Sequence, residues 1–203
     1  MKIDSERFET LSYLSCYPDT FSKKEKYPII IHLHGAGSRG TDVSILKNQA
    51  ILSYASKAED FPFVMFLPQC AEDCWFDIFE KLKALVRYIA ELPFVDKTRI
   101  YLSGVSMGGY ASWQLLMSEN TIFEKAIICC GGGMYWNASR IKAKIWAFHG
   151  KDDKVVFCEE SQKMVEAVNK RGGDARITVY ERTEHNCWDA TYSNPNIYKW
   201  LLS

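Results

Sequence analysis

The chain has 203 residues, 47% of them hydrophobic, which suits one compact domain, residues 1–203, with a sizeable core. Lys and Arg total 25 and so do Asp and Glu, so the formal net charge is zero, which argues against a nucleic-acid surface or a polybasic membrane patch. The start, Met1 to Arg7, lacks the apolar stretch of a signal peptide, and no apolar run approaches a membrane span.

Arg7 to Tyr17 alternates loosely and reads as one edge strand. Pro18 to Lys26 is polar and turn-like. Ile29-Ile-Ile-His-Leu-His34 is a continuous apolar, β-branched run, the pattern of a strand buried on both faces of a parallel sheet. It empties into Gly35-Ala36-Gly37-Ser38-Arg39-Gly40. Thr41 or Asp42 can then cap a helix to about Lys57.

Phe63 to Leu67 reads as the next strand, stopped by Pro68. The loop Gln69 to Trp75 leads to a helix with Ile78, Leu82, Leu85, Val86 and Ile89 on one face, ended by Pro93. Arg99 to Val105 is a strand, followed by a helix bearing Tyr110, Trp113 and Met117. Lys125 to Cys130 is a strand running into three glycines, and Ile145 to His149 is another. A helix over Cys158 to Arg171 is stopped by Gly172-Gly173, Arg176 to Tyr180 is the last strand, and Asn194-Pro195 starts the closing helix to Leu202. Strands alternating with helices predict a doubly wound α/β domain, with its site beyond the carboxyl ends of the strands.

The strand-to-helix junction Gly104-Val-Ser106-Met-Gly108 has the layout of a nucleophile elbow, in which a strained turn exposes a serine hydroxyl. The flanking glycines fit, because the turn brings residues two before and two after the serine together, where a Cβ would crowd the backbone. A serine hydroxyl needs a base to take its proton. Of the four histidines, His32 lies within a strand and reads as a packing residue. His34 and His149 each precede a glycine at a strand end and read as turn-fixing hydrogen-bonders. His185, in the polar loop after the last strand, stands where the chain order Ser, Asp, His requires the base. The acid comes from Asp152 or Asp153; Asp153, just before the Lys-Val-Val re-entry, is the better placed. The oxyanion of an acyl-transfer intermediate needs two N–H donors, for which Met107 and Ala36 are the candidates.

Four motifs, His34 to Gly40, Gly104 to Tyr110, His149 to Val156 and Glu184 to Asp189, together resemble the α/β-hydrolase superfamily. The nearest group is the small carboxylesterases, with dienelactone hydrolase, phospholipase/carboxylesterase and prolyl-oligopeptidase-like relatives. The likeness runs from about Tyr13 to Leu202. It implies the α/β-hydrolase fold with Ser106 as nucleophile, Asp153 as acid, His185 as base, and Ala36 and Met107 as oxyanion donors. It also implies that the first strand or two of the sheet are absent. Phe157 departs from the family pattern, standing where relatives often have proline. Only Gly131 to Lys144 separates two strands where this fold commonly inserts a lid, so no cap domain is expected.

The crevice loops carry Trp75, Trp136 and Trp188, which together suggest that an acyl or aryl group is gripped. The expected activity is hydrolysis of short-chain or aryl carboxylic esters; feruloyl- or acetyl-type groups on plant carbohydrate follow from the resemblance alone. A serine peptidase, a thioesterase or lysophospholipase, and a non-catalytic binding module are the alternatives. Seven cysteines without a Cys-x2-Cys pair suggest no zinc site and a reducing, cytoplasmic setting. No metal or organic cofactor is implied, the expected partner is a small-molecule ester, and the oligomeric state is not readable.

Overall fold

In the computed structural model, which describes residues 1–203, the β-branched runs form the centre of one eight-stranded sheet. In chain order the strands are β1 (Lys2–Phe8), β2 (Leu11–Tyr17), β3 (Tyr27–Leu33), β4 (Val64–Pro68), β5 (Val95–Val105), β6 (Lys125–Cys129), β7 (Lys144–Gly150) and β8 (Ala175–Tyr180). Their order across the sheet is β1-β2-β4-β3-β5-β6-β7-β8. β1 and β2 are antiparallel, β2 joins β4 antiparallel, and every later pairing is parallel.

Side chains alternate between the two faces of each strand, so each central strand feeds two cores. Ile29, Ile31 and Leu33 face the layer built by α2 (Phe79–Ala90), α3 (Met107–Ser118) and α4 (Cys158–Lys170). Ile30 faces the layer built by α1 (Ala50–Ala55), α5 (Trp188–Tyr192) and α6 (Pro195–Leu202). This is the doubly wound α/β-hydrolase architecture that the sequence predicts. No helix is long and apolar enough to cross a membrane.

Three expectations need correction. The segment read as one edge strand belongs to a hairpin, because the chain reverses at Glu9 and Thr10. Glu9 has φ 52, a left-handed backbone for which Gly or Asn is the usual sequence sign, so the turn is silent in the sequence. The hairpin supplies the sheet edge, so the first strands are not missing from the fold. The helix expected to run to Lys57 is broken. Asp42 does cap, accepting from Ser44 N–H at 3.0 Å, but it caps a 3-10 turn over Val43–Asn48. Gln49 is then extended, and its side chain reaches His32 and Ser38 before α1 begins.

The parallel strands all point the same way, so their carboxyl ends deliver the loops after Leu33, Val105, Cys129, Gly150 and Tyr180 to one edge of the sheet. β3 and β5 are neighbours, with Leu33 opposite Gly104, so the Gly35 loop lies beside the Ser106 turn. A Cβ on Gly108 would run into the carbonyl of Leu33, and one on Gly104 into the Ser112 hydroxyl and the Gly108 carbonyl. Gly108→Ala is therefore expected to cost about 3 kcal/mol or more, since backbone cannot yield as a side chain does. A lowered urea midpoint at unchanged slope would show it; an unchanged midpoint would mean that the turn is looser than this packing implies.

Candidate active site

Ser106 lies between β5 and α3 with φ 53 and ψ −115. Positive φ is costly for a residue with a Cβ, of the order of 1–3 kcal/mol, and persists only where the surroundings impose it. Here the Ser106 N–H is held by the Cys129 carbonyl at 2.9 Å, and its own carbonyl accepts from Tyr110 N–H at 3.0 Å. The turn pushes the hydroxyl out over the sheet edge.

That hydroxyl meets His185. The His185 Nε2 lies 2.9 Å from Ser106 Oγ, and its Nδ1 lies 2.7 Å from Asp153 Oδ2. A carboxylate only accepts, so the hydrogen is on Nδ1, and Nε2 is left free to accept from the serine. The His185 side chain is 21% exposed while that of Asp153 is fully buried. Burial alone would raise the Asp153 carboxyl, but hydrogen bonds from His185 and from the N–H of Val156 and Val155 outweigh it, so its pKa is lowered. Asp152 is exposed and is tied to Thr183 only through its backbone N–H, at 3.0 Å.

The acid turn and the histidine loop are built as one piece. A Cβ on Gly150 would collide with the carbonyls of Glu184 and Thr183, so only glycine lets these segments touch. The His185 ring then meets the edge of Trp188, with centroids 5.4 Å apart at 86°.

On the other side of the serine, Ala36 opens a 3-10 turn over Ala36–Ser38, and Met107 opens α3. The first N–H groups of such turns have no partner within the helix and suit a developing negative charge. The loop is tied down by Arg39, whose Nε donates to Ala36 O at 3.0 Å, and by Gln69, whose Nε2 donates to Asp42 O at 3.0 Å.

The remaining histidines serve the frame. His34 Nδ1 donates to Gly35 O at 2.7 Å and its Nε2 accepts from Cys70 N–H at 3.0 Å. His32 lies between Ser103 Oγ and Gln49 Oε1 at 3.2 and 3.3 Å. Burial pushes both imidazoles down to about 4. The sheet thus holds them neutral.

A cleft of about 380 Å³ opens on Ser106 and His185, lined also by Ala36, Gln49, Val105, Val155 and Trp188. Trp188 is where the sequence put it, but Trp75 and Trp136 are not. Trp75 is fully buried, its Nε1 donating to His34 O at 3.1 Å, so it braces the Gly35 loop from beneath. Trp136 is 57% exposed, beyond the cleft, with its carbonyl accepting from Arg171 at the far end of α4. Val155 and Gln49 were not foreseen as lining residues. Val155 adjoins the acid in sequence, which is a usable sign, but nothing local marks Gln49.

Cys130, Asp153 and His185 are the one group of potential metal-ligand side chains whose donor atoms approach within 4.8 Å of one another. Asp153 and His185 are already committed to each other, which leaves a single thiol and makes a poor ligand set. All seven cysteines are free.

The family model for the dienelactone hydrolase family matches residues 13–193. The chain is similar to the prolyl endopeptidase FAP of Bos taurus, 25% identical over 178 residues, covering 81% of this chain and 23% of that protein. Among solved structures it is similar to a thermostable esterase, with TM-score 0.87 and 30% identity over 98% of this chain and 62% of the other. The esterase Est2 of Thermogutta terrifontis shares the fold at TM-score 0.73 and 14% identity, over 99% and 91% of the two chains. The chain therefore spans under a quarter of the bovine relative and less than two thirds of the thermostable esterase. With a family match across most of its length and this fold, the chain belongs to the dienelactone hydrolase family.

Proposed function

We propose that the protein is a serine hydrolase of small carboxylic esters working through an acyl-enzyme intermediate. The observation that carries the reading is the unbroken hydrogen-bonded chain from Asp153 through His185 to Ser106, opening on a small neutral cleft. Ser106 Oγ attacks the ester carbonyl carbon while His185 Nε2 takes the hydroxyl proton. The N–H groups of Ala36 and Met107 receive the oxyanion. Collapse of the tetrahedral intermediate breaks the bond to the alcohol oxygen, which leaves with the proton from His185. Water then repeats the sequence on the acyl-serine. Asp153 remains ionised, holds the ring tautomer and stabilises the imidazolium. No step is assigned to a metal or an organic cofactor.

The lining supports this substrate class. Ala36, Val105, Val155 and Trp188 are apolar, Ser38 and Gln49 are neutral, and His185 is the one titratable side chain in the cleft. At about 380 Å³ the space is small, which suits short-chain or aryl acyl groups, acetyl and feruloyl among them. The stretch between β6 and β7 holds only a 3-10 turn over Tyr135–Arg140, so no cap covers the cleft from there. A peptidase reading draws on the likeness to the bovine prolyl endopeptidase, and a panel of peptide amides separates it from the esterase. The seven free thiols favour a reducing, cytoplasmic setting.

With p-nitrophenyl esters of increasing acyl length, wild type is expected to prefer the short ones, and Ser106→Ala to lose about 10⁶-fold in kcat. Equal activity of the two proteins would refute the assignment, and inert wild type beside cleaved amides would favour the peptidase. Asp153→Asn is expected to lower kcat about 10⁴-fold, with Asp152→Asn nearly unchanged; the reverse order would move the acid to Asp152.

The lowered Asp153 pKa has a second consequence. A carboxyl depressed in the fold adds stability above the ordinary carboxylate value of about 3.9, and that stability is lost as pH falls toward the folded value. Urea midpoints at pH 6 and pH 3 should therefore drop further for wild type than for Asp153→Asn. Equal drops would mean that Asp153 contributes nothing to acid unfolding.

A further inference from the structure

A chain of hydrogen bonds reaches the cleft from inside the sheet. The Tyr192 hydroxyl lies 2.6 Å from Ser103 Oγ, and Ser103 Oγ lies 3.2 Å from His32 Nδ1. His32 Nε2 lies 3.3 Å from Gln49 Oε1, and Gln49 Nε2 lies 2.9 Å from Ser38 Oγ. Tyr192, Ser103 and His32 are buried, whereas Gln49 and Ser38 line the cleft.

Each link uses one hydrogen, so the chain has a direction. The three hydroxyls bring one hydrogen each, and so does the His32 ring, which burial keeps neutral at pH 7 by pushing it down to about 4. Run outward, Tyr192 donates to Ser103, Ser103 to His32 Nδ1, His32 Nε2 to Gln49 Oε1, and the Gln49 amide to Ser38 Oγ. The hydrogen left over is then that of Ser38, at the cleft. Run inward, with the amide turned over, every bond reverses and the hydrogen left over is that of Tyr192. Tyr192 is 1% exposed, and besides Ser103 only the Cys129 thiol, a weak acceptor, meets its hydroxyl. A donor without a good acceptor is costly in the core and not where solvent reaches it. The fold therefore favours the outward direction. Ser38 Oγ accepts from Gln49, and no protein group takes its hydrogen.

We propose that Ser38, aimed by Gln49, is a specificity residue that donates its hydroxyl hydrogen to a second, neutral oxygen of the substrate. The cleft then prefers esters carrying an ether, hydroxyl or carbonyl oxygen near the scissile carbonyl over their hydrocarbon isosteres. This substrate class rests on the esterase reading; the direction of the chain does not. The oxygen is neutral because no cation lines the cleft, so a carboxylate would lose its hydration there without gaining a counter-charge. It is near the scissile carbonyl because Ser38 shares one 3-10 turn with Ala36, the proposed oxyanion donor. Two residues of such a turn are about 4 Å apart along its axis. The walls contributed by Val105, Val155 and Trp188 offer no competing hydroxyl, which leaves Ser38 and Gln49 as the polar side of the cleft away from Ser106 and His185.

Nitrogen NMR of the histidine-labelled full chain at pH 7 reads the direction without any substrate, with His32 assigned by elimination from single variants of the other three histidines. Nε2 of His32 is expected to be protonated and Nδ1 to be pyridine-type. The opposite tautomer would overturn the proposal, because Ser38 would then spend its hydrogen on Gln49. Substrate preference is read from two isosteric pairs. In p-nitrophenyl methoxyacetate against butyrate, oxygen replaces one methylene of the acyl group; in 2-methoxyethyl acetate against n-butyl acetate, it replaces one in the alcohol. Ser38→Ala is expected to lower the oxygen-over-carbon ratio of kcat/KM about 5-fold for at least one pair, which also identifies the side recognised. Comparing ratios between proteins cancels the intrinsic reactivity of the esters. Ser38→Thr, which keeps the hydroxyl, is expected to keep the ratio. Ratios that Ser38→Ala leaves unmoved in both pairs would overturn the proposal, whether or not the absolute rates fall. If wild type shows the expected tautomer but cleaves none of these esters, the esterase reading and the substrate class built on it fail together, and only the direction of the chain stands.

Discussion

The arrangement at the cleft depends on one close approach, the packing of the Ser106 turn against the end of β3. No Cβ fits between Gly108 and the Leu33 carbonyl, and a Cβ on Gly35 would sit 3.4 Å from the Val105 carbonyl and 3.5 Å from the Ser106 Cβ. This contact allows Ser106 to hold φ 53, because the backbone has nowhere to relax. It also sets the Ala36 loop at a fixed distance from the serine. The relation between the hydroxyl and the two N–H groups opposite it is therefore a property of sheet packing rather than of two independent loops.

Around that contact the frame is polar and buried, and its members are paired. His32 links Ser103 to Gln49, Gln49 links onward to Ser38, and the Tyr192 hydroxyl closes the other side at 2.6 Å from Ser103. His34 and Trp75 pack with their rings tilted by 51° and centroids 4.9 Å apart, beneath the Gly35 loop. Such networks are expensive when broken and confer a single conformation when complete. They explain why three histidines of the sheet stay away from the cleft: each is consumed in holding a loop in place.

The electrostatics follow the same economy of position. Asp153 is buried but accepts from two backbone N–H groups and the His185 imidazole, so its charge is held by geometry instead of by solvent. The serine side needs the opposite, a hydroxyl that faces the cleft, and obtains it from the strained turn. His185, partly exposed between them and flanked by Trp188, is the one member with room to move a proton.

Much of this was legible in the chain. Apolar runs of β-branched residues gave the central strands, and glycines at their ends gave the loops of the site, because a parallel sheet leaves few other sequences able to fill both faces. Ser106, Asp153 and His185 could be singled out from motif and chain order, and the structure brings the three together. The hairpin at Glu9 was not legible, since a residue with no special turn preference takes the positive φ there. Trp75 and Trp136 were misplaced because composition puts an aromatic in a loop without saying which way it faces; one turned inward to His34 and the other went to the far end of α4. By itself, then, the sequence determined the doubly wound layering, the elbow and the three side chains that meet at the cleft, which depend on local periodicity, chain order and steric demands. Only the tertiary structure decided which aromatic lines the cleft, that Gly108 packs on the Leu33 carbonyl, why Gly150 must lack a side chain, and that His149 stands behind Asp153, because those facts arise from contacts between segments far apart in the chain.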